Sequence, residues 1–142
     1  MASVVDLSVA LSALLERIQS FSWQAQAFHW NTVGPDFTEF HQLFGGIYEA
    51  AYAPIDDLAE AIRRIGGFAP QQVGPIGLDG PLVTEPTAQV ESLAVANDGV
   101  LADVTTAAVV AGGLNEFGIQ NLLGDIQFAH QKFRWMLSAH LS

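Results

Sequence analysis

HWNTVGPDFTEFH, residues 29–41, decides how this chain folds. Upstream of it, Leu7, Leu11, Leu14, Ile18, Phe21, Ala25 and Phe28 recur at three- and four-residue steps, the spacing of one buried helix face. That pattern, read from about Asp6 to Asn31, stops at Thr32-Val33-Gly34-Pro35, where the proline lacks an N–H and the glycine punctuates the helix. Asp36 then offers an N-cap, and Glu39 three residues on completes a capping-box pattern. From Phe37 the helical period continues through Phe40, Phe44, Ile47, Ala51, Ile55, Leu58 and Ile62 to Gly66-Gly67. So short a turn makes these two helices an antiparallel hairpin and sets His29 and His41 at the same height on facing helices.

Outward from the hairpin, residues 68–85 are rich in glycine and proline and have no clear period, although a short helix hidden there is an alternative. A third helix is expected from Pro86 to Gly112-Gly113, and a fourth from near Asn115 through Leu123, Ile126, Phe133 and Leu137. Extended, the middle connection reaches roughly 60 Å, against roughly 45 Å for a thirty-residue helix. It can therefore run the length of the bundle and leave the second and third helices parallel. The expectation is all-α: one four-helix domain over residues 1–142, with one long crossover between the second and third helices.

The 142 residues suffice for one core; half are apolar and only 14% are charged. No apolar run approaches bilayer length, and no basic, cleavable leader is read at the start. Cysteine is absent, which excludes disulfide and thiolate chemistry. A cytoplasmic setting is expected by default. The net charge of −10, with one lysine (Lys132), repels nucleic acid and anionic membranes and attracts cations. High apolar content beside so few charges points to surface covered by other subunits.

His29, His41, Asp56 and Glu60 are all metal-ligand types set in apolar-periodic stretches. Imidazole and carboxylate without thiolate suit iron, zinc or manganese. Asp56 and Glu60 share one helix face, but His41 and Asp56 stand fifteen residues apart, roughly 22 Å along a helix. The two pairs therefore cannot meet within one chain. Two copies of the second helix, packed antiparallel about a two-fold axis, join His29 and His41 of one copy to Asp56 and Glu60 of the other, twice per dimer. Gly45, Gly46, Ala50, Ala51 and Ala53 are small enough to let those helices approach.

These residues carry a resemblance. The run from His29 to Phe37 with His41, the run Asp56-Asp57-Leu58-Ala59-Glu60-Ala61-Ile62-Arg63, and His130 to Leu137 resemble the DNA-protection-during-starvation (Dps) family of miniferritins over nearly the whole chain. The resemblance implies a ferritin-like bundle assembled as a hollow dodecamer of two-fold dimers. It implies oxidation of Fe(II) by hydrogen peroxide or dioxygen at His29, His41, Asp56 and Glu60, and storage of Fe(III) inside the shell. Zinc is the expected competitor for that site. Trp30 matches an aromatic residue beside the family's site and is a candidate electron donor to reactive oxidants. Glu116 and Asp125, with Asn121, partly match the acids that line the family's pores.

Some positions depart from the family. Gly45 stands where many members carry an acidic residue, one turn after the second histidine. Pro54 should kink or break the second helix just before Asp56. No basic N-terminal arm is seen, so DNA binding is not expected. The competing reading is therefore a Dps-like structural cage or passive metal binder with a degenerate site; a plain helical interaction module is a third. Asp57, three residues before Glu60, is an alternative ligand. Trp23 and Trp135 read as packing or interface residues, and His130 and His140 as structural or surface groups.

Overall fold

Ser3 starts the first helix. Its hydroxyl accepts from Asp6 N–H while its own N–H donates to the Asp6 carboxylate, a full capping box. The computed structural model describes all 142 residues: α1 (Val4–Asn31), α2 (Phe37–Tyr52), α3 (Ile55–Arg64), α4 (Pro86–Gly113) and α5 (Phe117–His140). All seven apolar positions expected for α1 are buried. The helix starts two residues before Asp6, because Asp6 is the third residue of the box and not its beginning.

The second bundle helix is broken, as Pro54 requires. It runs as α2 to Tyr52 and resumes as α3 at Ile55. The missing proline N–H and the ring's clash with the turn before it separate the two halves. The capping box expected at Asp36 is not formed, since Asp36 makes no side-chain cap bond. Instead the Phe37 N–H donates to Gly34 O and the Phe40 N–H to Asp36 O. Gly34, at φ +129, takes the left-handed conformation that a side chain would strain.

Side-chain bonds fix the directions. Arg17 pairs with Asp103 while Gln24 bonds Ser92, so α1 and α4 are antiparallel. Gln120 reaches Ala108 O and Asn97 reaches His130 O, so α4 and α5 are antiparallel too. Since α1 also opposes α2, the second and third bundle helices run the same way. That is the single-crossover, ferritin-like topology.

The crossover from Ile65 to Glu85 contains no helix. It is strapped down by bonds instead: Gly77 N–H donates to Ser20 Oγ, Gln89 Nε2 to Val83 O, and Val33 N–H to Thr84 O. The core is one cluster drawing on every helix, with Leu11, Ile18, Phe44, Leu93 and Leu123 at its centre. By length and composition α4 alone could cross a bilayer, with mean hydropathy 1.4 over an 18-residue window. It is not an uninterrupted apolar run, since Glu91, Asp98 and Asp103 lie within it. In the fold, α4 packs between α1 and α5 and buries Gln89 and Asn97 along with its apolar side chains.

Candidate metal centre at the first hairpin

The end of α1 leaves carbonyls without helical partners. The His29 carbonyl is one of them, because the Val33 N–H that would reach it is drawn off to Thr84 O. His41, across the turn on α2, fills the vacancy: its Nδ1 lies 2.6 Å from His29 O. The reverse bond exists as well, with His29 Nδ1 2.6 Å from His41 O. A carbonyl can only accept, so each Nδ1 carries a proton, and in the neutral imidazole each Nε2 keeps a bare lone pair. The rings stack at 3.8 Å between centroids, 15° from parallel. Both are half-buried.

One nitrogen tied to backbone and the other free is the arrangement that orients an imidazole for a metal. Tyr48 leans on His29 at 5.5 Å and Phe37 stacks on His41 at 5.0 Å. Neither aromatic was singled out from the sequence. Tyr48 could have been, because it lies two helical turns after His41 on the same face.

Asp56 and Glu60 lie on α3 beyond the Pro54 break, and both are exposed. The Asp56 carboxyl, through a shared hydrogen bond and its charge, raises the proton affinity of Glu60; Arg64, 3.8 Å away, pulls it down less. Two carboxylates held this close, with one weakly paired arginine, form an open cation-attracting pair. Asp57 turns elsewhere, into a groove between α3 and α5 that it shares with Glu116, Asn121 and Asp125. So Asp56, and not Asp57, is the close partner of Glu60, and the two acids expected near the start of α5 share that groove.

The chain brings together the two histidines, and separately the two carboxylates, but not the four. Nowhere in it do three or more His, Asp or Glu side chains cluster closely enough to hold an ion. Trp30 is half exposed and meets Trp23 edge-on at 5.9 Å. His130 is buried: its Nδ1–H donates to Asn97 Oδ1 at 2.7 Å, and burial lowers its pKa to about 4. The buried Asn97 partner, an amide and not an acid, settles it as a core group. His140 is exposed and rests against Phe40.

A helical bundle with one crossover, and a histidine pair preset at its first turn, is the frame of a ferritin-like protein. The ferritin-like domain family matches residues 9–142. The DNA protection during starvation protein of Brevibacillus brevis is 34% identical over 121 residues, 80% of each chain. The crystal structure of the Vibrio cholerae Dps protein, described as one of the ferritin-like diiron-carboxylate proteins, superposes with a TM-score of 0.90 at 25% identity, covering 98% of this chain and 91% of that one. The Dps structure from Bacillus brevis covers 100% of both chains at TM-score 0.88 and 23% identity, a likeness of fold. The chain belongs to the Dps family of ferritin-like proteins.

Proposed function

We propose that this protein oxidises Fe(II) and stores the ferric product within a hollow homo-oligomer, a dodecamer built from two-fold dimers. His29 and His41 of one copy receive the ferrous ion, and Asp56 and Glu60 of a second copy complete its ligand set. The carrying observation is the reciprocal His29–His41 bonding, which leaves one Nε2 lone pair on each of two stacked rings and no third ligand in the same chain. Family membership supports the iron-storage and protective role.

The chemistry follows from the ligands. Neutral imidazoles hold Fe(II) on arrival, and hard carboxylates favour Fe(III), so the set lowers the cost of giving up an electron. Two Fe(II) ions supply one electron each to hydrogen peroxide, which takes two protons and leaves as two waters; dioxygen is the alternative oxidant. Trp30, exposed beside His29, is read as an electron donor to stray oxidants. The groove of Asp57, Glu116 and Asp125 is read as a path for cations. Zinc, which takes the same donors, competes for the site. With a net charge of −10, binding to DNA is not part of the reading.

Two observations favour the competing view of a cage without chemistry: Gly45 offers no donor and Glu60 leans toward Arg64. Fe(II) oxidation followed by absorbance, started with peroxide or air, separates the two. Wild type should oxidise rapidly and keep iron soluble, while a His29→Ala/Glu60→Ala double variant should be slow and precipitate it. Equal slow rates in both would leave only the cage.

A further inference from the structure

A glycine inside a helix costs about 1 kcal/mol relative to alanine, so Gly45 and Gly46 in the middle of α2 need a reason. They differ. A Cβ on Gly46 would meet nothing within 4 Å, whereas one on Gly45 would sit 2.9 Å from His29 Nδ1 and 3.0 Å from its Cε1. The φ of Gly45 is an ordinary helical one, so its backbone does not call for glycine. The imidazole of His29 does: its Nδ1–Cε1 edge lies where that side chain would stand. From there its Nδ1 reaches the carbonyl of His41, one turn earlier on the same helix.

Resting on the reading of His29 as a metal ligand, we propose that Gly45 is the positioning residue that seats it, and that the seated ring limits each site to one metal ion. Three surfaces hold the imidazole: the backbone at Gly45, the stacked ring of His41 and the tilted ring of Tyr48. Any side chain at position 45 must push the ring aside by a few tenths of an ångström, straining the bond that fixes its tautomer. The same ring fills the space from which a residue one turn after His41 would reach a second ion. An acid introduced at position 45 would therefore subtract a ligand rather than add one.

Cobalt(II) titration of the assembled protein, read by stoichiometry and visible absorption, tests this without turnover. Wild type should bind one ion per chain. Gly45→Ala and Gly45→Asp should each bind at least about tenfold more weakly, the scale of losing a ligand's orienting partner. Helix content should hold, because alanine favours the helix. In a His29→Ala background, adding Gly45→Ala should change nothing further, a non-additivity that a general packing defect would not produce. Unchanged affinity in Gly45→Ala, or a second ion gained by Gly45→Asp, overturns the proposal. Wild-type binding indifferent to His29→Ala overturns the ligand reading itself, and the proposal with it.

Discussion

The two halves of the candidate site are built in opposite ways. At the α1–α2 turn, each histidine is half-buried, stacked on the other and tied through Nδ1 to the other's carbonyl. On α3, beyond the Pro54 break, Asp56 and Glu60 are exposed and held by little more than each other and Arg64. One half is finished by its own chain; the other has no orienting shell within it. Such unequal preparation suits a centre whose histidines wait in place and whose carboxylates are ordered by what arrives. It also means that substitutions in the two halves should fail differently.

The sharpest test sets His41→Ala beside Glu60→Gln. His41→Ala removes a proposed ligand, the bond to His29 O and a stacked ring, so Fe(II) affinity should fall at least about 100-fold. It also leaves a carbonyl at the end of α1 uncapped, and stability should drop by about 1 kcal/mol with assembly intact. Glu60→Gln touches nothing the fold relies on, so affinity should fall while the unfolding midpoint stays put. Anaerobic titration with thermal unfolding reads both. If Glu60→Gln destabilises as much as His41→Ala, the contrast between the halves is broken.

Much of the finished half was legible in the sequence, and the reason is local. His29, Gly34-Pro35 and His41 are near neighbours along the chain, so turn chemistry alone set the two rings at one height. The Pro54 break and the α1 stripe were legible on the same grounds. What stayed hidden depends on distant segments. The vacancy at His29 O exists because Thr84, far along the crossover, takes the Val33 N–H. The clash that makes Gly45 necessary needs the approach of two helices. At Asp36 the capping pattern was real in sequence, but the turn bonded through Gly34 and Asp36 carbonyls and left the side chain out. Spacing prefers Asp56 as the partner of Glu60 but keeps Asp57, three residues before it, as an alternative; the fold lines the groove against α5 with Asp57.

His130 sharpens the comparison from the other side. Its Nδ1 is tied like those of His29 and His41, and its Nε2 is also without a partner. It lies in the core, and desolvation holds its pKa near 4, below the usual value of 6.5. Because the folded value is depressed, the unfolded chain takes up a proton that the folded chain refuses. Stability is therefore full above about pH 6.5 and drains as pH falls toward 4, by about 3 kcal/mol in total. A His130→Gln variant should lose that slope between pH 6.5 and 4 in denaturant unfolding, whatever its stability at pH 7. A slope unchanged by the substitution would assign the acid sensitivity to other groups.

The smallest expected effect lies in the unfinished half. Asp56, by hydrogen bond and charge, raises Glu60 above an ordinary glutamate. The folded chain then keeps that proton to higher pH than the unfolded one. The pair's repulsion therefore weighs on the fold at neutral pH and eases as pH falls, and with both groups exposed the effect on stability is slight. In metal-free protein, Asp56→Asn should move the Glu60 titration down toward its ordinary value, read by carbon NMR of the side-chain carboxyl, without altering the His29 and His41 ring signals. A shift in those signals would mean that the two halves are already joined in the absence of metal, across the interface between copies. Independent titrations would mean that the ion itself brings them together.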